Sequence, residues 1–177
     1  MTKKTITVNE TTLEEREKRK GITLRNQIEW IKRQLDYISF SSDYNLSLDI
    51  KKGEIYEFDW GINVNSEFSN RHYGVVLKDS GPTNPLVIVC PLKTKKKSNN
   101  MWPNKDLGII ESLNTEKETI AIINQTRAID KLRLFSRSII GDTDKLDGTP
   151  PKLDEKTTNE ILTTYIKYIS GVTVKIY

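Results

Sequence analysis

The sequence predicts an α+β fold: a small, strongly bent sheet or barrel of short strands, with a helix at its C-terminal end and a helical extension at its N-terminal end. Three observations predict it. Between residues 54 and 124, short runs rich in β-branched and aromatic residues are separated by turn formers. Two stretches outside them, 24–38 and 161–169, space their apolar residues by three and four, as a helix requires. No apolar run approaches the ~18 residues that would span a bilayer.

Residues 1–20 are polar and charge-mixed and read as a frayed arm or an exposed first helix. After Gly21, Leu24, Ile28, Ile31, Leu35 and Ile38 fall at spacings of four, three, four and three, one narrow stripe on a helix face. Such a stripe needs a cover. Packing on its own domain competes with contact to a second copy or a partner protein. Ser39–Asp49, rich in Ser, Asp and Asn, reads as a linker, so residues 1–50 are expected to be a helical extension and linker, and 51–177 the main domain.

Within that domain Tyr56, Phe58 and Trp60 alternate with Glu57 and Asp59, the period of a half-buried strand over 54–60. Residues 61–70 read as a polar loop. Further strands are expected near 73–78, 86–92, 107–111 and 119–124, with Ser80-Gly-Pro82 as one of the intervening turns. From Asp154 to Ser170, the residues Ile161, Leu162, Tyr165, Ile166 and Ile169 share a helical face, with Asp154 as N-cap and Gly171 as C-cap. The last alternation, Val172–Ile176, resembles an edge strand.

Lys and Arg exceed Asp and Glu by four over 177 residues, and the excess lies in residues 51–137, which hold 14 basic and 10 acidic side chains. That bias favours an anionic partner such as RNA without demanding one. The single cysteine, Cys90, lies in an apolar run, so it forms no intrachain disulfide, reads as a small buried hydrophobe and suits a reducing cytoplasm. Met1-Thr-Lys-Lys-Thr5 is not followed by the apolar segment of a signal peptide, so a soluble, unprocessed, cytoplasmic chain is expected.

The richest segment is Thr119–Leu134, where an apolar strand runs directly into Gln125, Arg127, Asp130, Lys131 and Arg133, as if a core strand fed a polar site. Upstream, Arg71 stands between a polar loop and an apolar strand. A guanidinium there could donate two hydrogen bonds to phosphate and stay charged at any relevant pH. Glu67, four residues earlier, could accept a proton or hold the arginine. His72 is the only histidine, which excludes a two-histidine acid–base pair within one chain and leaves it a proton-transfer or substrate-contact role. Thr94 ends an apolar strand where Lys93, Lys95, Lys96 and Lys97 supply positive charge, and Asn99, Asn100 and Trp102 could hydrogen-bond to and stack on unpaired bases. No cofactor motif is present, and Asp142–Gly148 lacks the spacing of a calcium loop, so no metal is expected.

In combination and order, Lys52–Tyr56, Asn65-Ser-Glu67, Arg71, Val75–Leu77, Val87–Val89, Pro91-Leu92, Asn124-Gln125 and Arg127–Arg133 resemble the MazF/PemK family of toxin endoribonucleases. The resemblance covers about residues 51–137. It implies an SH3-like barrel with added helices, a homodimer, metal-independent cutting of single-stranded RNA, and inhibition by a cognate antitoxin. By position it makes Arg71 the catalytic arginine, with Glu67 in the family's Ser-Glu element and Gln125 and Arg127 among the RNA contacts. Alignment on Pro91 sets Lys93 where the family usually has Thr or Ser, with Thr94 one residue later, so a bulge would be needed to exchange them. His72 replaces the family's proline, and the fifty-residue extension has no counterpart in short members. The competing expectation is a non-catalytic binder on the same barrel, either an RNA-binding regulator or a gyrase inhibitor resembling CcdB. The C-terminal tryptophan of the latter is missing here, since Trp30, Trp60 and Trp102 all lie far from that end.

Overall fold

Six antiparallel strands are organised around one long strand, β3 (Leu86–Thr94). The computed structural model describes residues 13–41, 48–63, 67–96, 102–113, 116–134 and 150–173, with side chains in the first helix from Leu24 to Ser39. The other strands are β1 (Ile55–Asp59), β2 (Arg71–Val76), β4 (Lys105–Ile109), β5 (Glu118–Ala121) and β6 (Arg127–Asp130). The main path is β1-β2-β3-β5-β4, with β6 also on β3.

β5 and β6 follow one another along β3, pairing Leu92 with Ala121 and Val89 with Arg127. Three steps along β3 thus correspond to six along its neighbour, and the 3₁₀ turn Ile123–Gln125 takes up the excess. The path does not close. Beyond β6, Leu134 makes a single bridge to Phe58 of β1, where a full barrel would have a ladder, so the expected SH3-like barrel is realised as a bent, open sheet. β6 falls inside what the sequence presented as a polar site, and β5 stops short of its expected end at 124.

Alternation along the strands divides the core between the two faces of the sheet. Val76, Val87 and Val89 join Phe58, Trp60, Phe68 and Leu134 on one face. Val75, Cys90 and Leu92 join Ile55, Ala121, Ile123 and Ile161 on the other. Gly74 faces the first of these clusters with no room for a side chain: a Cβ there would overlap Val89 Cγ1 and meet Trp60 at 3.1 Å.

The C-terminal helix, α2 (Glu155–Ser170), covers the second face. Asp154 caps it by accepting from the Thr157 N–H at 2.8 Å, and Gly171 ends it at φ 69°, both as the sequence predicts. Ile161 is fully buried, with Leu162 and Tyr165 packed beside it, whereas Ile169 in the last turn is exposed. Of the expected C-terminal strand, 172 and 173 are irregular and the rest lies outside the described residues, as does the 142–148 turn.

The N-terminal helix, α1 (Leu13–Ser41), starts earlier than predicted and runs through Gly21. Of the covers considered for the apolar stripe, packing on its own domain is not the one realised. Leu24, Ile28, Ile31, Leu35 and Ile38 are all exposed, while Trp30, Arg33 and Tyr37 face the sheet. Arg33 Nε donates to the fully buried Asp59 at 2.8 Å and Tyr37 Oη donates to the same carboxylate at 3.1 Å. Burial and the Asp59 charge push the Tyr37 hydroxyl up to about 12. Trp30 packs edge-on to Tyr37 and takes the Arg33 and Arg133 guanidinium groups at 5.5 and 5.0 Å from its ring centroid. The same ring lies over Gly61, where φ is +86° and a Cβ would meet it at 2.8 Å. Asp59, read from alternation as a solvent-facing residue, is therefore buried because the helix covers it.

The Gln125–Arg133 cluster is structural as well. Lys131 is buried and its ammonium donates to the carbonyls of Leu48, Ser80 and Gly81 at 2.7, 3.2 and 2.8 Å. Desolvation pulls its pKa down. Asp130 caps the following 3₁₀ turn by accepting from the Leu132 N–H at 2.9 Å. Lys131 thus satisfies backbone carbonyls, and Asp130 a backbone N–H, that would otherwise be orphaned.

Candidate active site

The cleft arises where two neighbouring strands part. β2 and β3 are paired from Val76↔Val89 to Gly74↔Pro91, and no further. Beyond that point Tyr73–Arg71 stay with Glu57–Asp59 of β1, while Leu92–Thr94 pair with Ala121–Thr119 of β5. The opening between the two ladders is a cleft of about 220 Å³.

Arg71, His72 and Tyr73 form one wall, with Glu57 opposite Tyr73 in the β1 register. Leu92, Lys93 and Thr94 form the other, with Thr119 opposite Thr94. Leu113 and Lys117, from the connection between β4 and β5, complete the lining. Each wall is held by its own backbone ladder. Arg71 and Thr94, 23 positions apart in sequence, therefore line one space, with Lys93 and Lys117 adding positive charge and Glu57 the single carboxylate of the lining.

Thr94 reaches the cleft without the bulge that the alignment required. Its pairing with Thr119 continues the regular register of Leu92 and Lys93, and the only shift in that part of the sheet is in β4, between Asp106 and Gly108. Lys93 lines the cleft too, so the two residues do not exclude each other at this site.

His72 is held from two directions. Its carbonyl accepts from Trp60 Nε1 at 3.1 Å, and its ring lies 4.7 Å from that of Phe68. Half-burial first, and then the Lys93 charge, lower its pKa below the usual histidine value, so the imidazole is neutral at pH 7. A neutral ring can accept a proton.

The loop before β2 is pinned by three side chains. Asn63 Nδ2 donates to the carbonyls of Trp60 and Phe68 at 2.9 and 2.7 Å. Gln125 Oε1 accepts from the Phe68 N–H at 3.2 Å. Arg127 Nη2 donates to the Trp60 carbonyl at 2.6 Å while its guanidinium lies 5.2 Å from the centroid of that indole ring. Gln125 and Arg127, expected on RNA, are thus engaged in holding the segment that presents Arg71 and His72. Burial, followed by Arg133, lowers the Arg127 pKa, and the Glu67 charge opposes that shift. Glu67 itself is exposed and is not part of the cleft lining.

The lysine run is divided. Lys95 sits between Asp106 and Glu118, with 2.9 Å to the latter, and ties β3 to the β4–β5 hairpin; its hydrogen bond to Asp106 raises its pKa. Lys96 is exposed and Lys97 lies outside the described residues. Trp102 is exposed beside α2, where the Lys167 ammonium lies 5.4 Å from its ring centroid, and it is not in the cleft lining. Sequence reading missed Glu57, Tyr73, Lys117 and Thr119. Alternation set Glu57 on a polar face, but only the register brings it opposite Tyr73. Among the described residues no three His, Cys, Asp or Glu groups form a metal-ligand set, and no described helix is long and apolar enough to cross a membrane.

Comparison with known proteins gives one family. The family model for PemK-like, MazF-like toxins of type II toxin–antitoxin systems matches residues 51–162. No curated protein matches the chain. Among solved structures, MazF (Form-I) from Deinococcus radiodurans is 12% identical, with 71% of this chain and 99% of that chain covered at a TM-score of 0.48. MazE–MazF (Form-III) from the same organism is 10% identical, with 69% and 97% covered at a TM-score of 0.43.

Proposed function

The chain belongs to the PemK-like, MazF-like toxins of type II toxin–antitoxin systems, and from that premise we propose that it is a metal-independent endoribonuclease cutting single-stranded RNA by attack of a 2′-hydroxyl on the adjacent phosphodiester. The observation that carries this reading is the shared cleft of Arg71 and Thr94. Arg71 neutralises the phosphorane through its planar fork, and the Thr94 hydroxyl donates to a phosphate oxygen.

The neutral His72 imidazole takes the proton of the 2′-hydroxyl as O2′ bonds to phosphorus. The bond from phosphorus to O5′ then breaks, with a proton delivered to that oxygen from the Lys93 ammonium. The products are a 2′,3′-cyclic phosphate and a 5′-hydroxyl. Lys93 and Lys117 hold the strand by charge, and Gln125 and Arg127 act through the loop they fix.

The reading extends to assembly. Residues 51–177 are the toxin domain and 1–50 an appended extension. The protein works in the cytoplasm as a homodimer and is held inactive by a cognate antitoxin, a pairing of the kind named in the Deinococcus MazE–MazF structure.

The test is incubation of the purified chain with a long single-stranded RNA in EDTA, beside Arg71→Ala. Discrete fragments with cyclic phosphate ends from the wild type, and a rate lower by about 10²–10³-fold in the variant, are expected. Intact RNA with both proteins overturns the reading in favour of a non-catalytic binder.

A further inference from the structure

α1 is docked by one face only. Trp30, Arg33 and Tyr37 lie against the sheet, while Leu24, Ile28, Ile31 and Leu35 are 59, 46, 53 and 58% exposed and belong to neither core cluster. Large aliphatic side chains left in water at regular helical spacing mark an interaction surface.

We propose that this seam docks an amphipathic helix of a partner protein whose own apolar seam is bordered by acidic side chains. Spacing comes first. Steps of four, three and four are the alternating a and d positions of a heptad, which accept knobs from a second helix over ~16 Å of axis. The borders come next. Arg25 and Lys32 each follow a d residue and line one edge, and Gln27 and Gln34 line the other. Lys32 is tied only into an exposed pair with Glu29 at 3.1 Å, an interaction weak enough to be exchanged for a partner's carboxylate.

Charge also decides against the other occupants. A second copy laid antiparallel about Ile31 sets Lys32 against Lys32, and a parallel one sets Gln27 against Lys32, so neither orientation gains an ion pair at the border. A lipid surface is served by a broad apolar face over a basic one, whereas this seam is narrow and Glu29 and Asp36 stand beside it. The contacts of Arg33 and Tyr37 with Asp59 already orient the helix, so a partner meets a preformed surface. The seam precedes residue 51, where the family match begins, and the proposal does not rest on RNA cleavage.

The experiment uses the full chain and two synthetic peptides of about three heptads with leucine at a and d, one with glutamate and one with lysine at e and g. Binding is followed by calorimetry for the wild type and for Ile31→Asp/Leu35→Asp, whose near-ultraviolet circular dichroism reports whether Trp30 stays docked. The glutamate peptide is expected to bind at least about tenfold more tightly than the lysine peptide, to weaken with added salt, and to lose binding in the double variant with the Trp30 signal unchanged. Equal affinity for both peptides, no binding of either, or binding that survives the double variant overturns the proposal. So does a wild-type oligomer that the double variant dissolves in sedimentation, which would make a second copy the occupant. Seam-dependent binding to anionic phosphatidylglycerol vesicles with no preference between the peptides overturns it in favour of a membrane.

Discussion

Arg33 Nε of the N-terminal helix lies 2.8 Å from Oδ2 of Asp59, a carboxylate with no exposed surface in the first strand of the sheet. The extension therefore supplies the counter-charge for a buried group of the main domain. In Arg33→Ala, Asp59 keeps the Tyr37 hydroxyl and the Gly61 N–H as its hydrogen-bond donors among the described residues. Breaking a buried pair costs about 3–5 kcal/mol, and the partial exposure of Arg33 puts this case near 3. Urea unfolding should show that loss, and Arg33→Ala/Asp59→Leu should recover part of it.

Lys131 makes a separate stability prediction. Its ammonium satisfies three carbonyls at the crossing of residues 48, 80 and 81. Lys131→Met leaves those acceptors dry and should destabilise the domain by about 3 kcal/mol. RNA cutting measured well below the new melting temperature should be nearly unchanged, because Lys131 does not line the cleft.

The single histidine makes a clean titration. Burial and Lys93 lower the His72 pKa, so its NMR midpoint should lie below the ~6.5 of an unperturbed imidazole and rise in Lys93→Met. The unfolded chain then binds more protons than the folded one between the two values. Stability should therefore fall as pH drops from about 6.5 through the folded midpoint, and this group should leave it unchanged well above about 6.5. The rate of RNA cleavage should fall over the same acidic window as the ring becomes charged.

Lys93 and Thr94 should separate kinetically. Lys93→Ala removes a phosphate contact as well as the proposed proton donor, so KM rises, kcat falls, and the salt dependence of binding drops by a slope of about 0.7. Thr94→Val removes a hydrogen bond aimed at the reacting phosphate, and kcat should fall by about 10²-fold with little change in KM. Steady-state cleavage of a short RNA at several salt concentrations reads both.

Much of the fold was legible locally. The Asp154 and Gly171 caps, the burial of Cys90 and the paired strands around residues 73–76 and 86–92 follow from short-range chemistry that a linear reading captures. Arg71 and Thr94 could be singled out by residue type, but nothing local reveals that β2 and β3 part after Gly74 and Pro91, which brings them to one cleft. The structural duties within the polar run 125–133 were not legible, because charge in sequence looks alike whether it meets a ligand or an orphaned carbonyl. Lys131 and Arg127 do the latter.

The sequence by itself determined the order and type of the two helices and of the first five strands, because capping, turn formation and apolar periodicity act over a few residues. Tertiary structure alone decided which face of α1 docks. The more hydrophobic stripe lost to Trp30, Arg33 and Tyr37, since one buried carboxylate and a cleared glycine at position 61 reward that face with contacts available nowhere else.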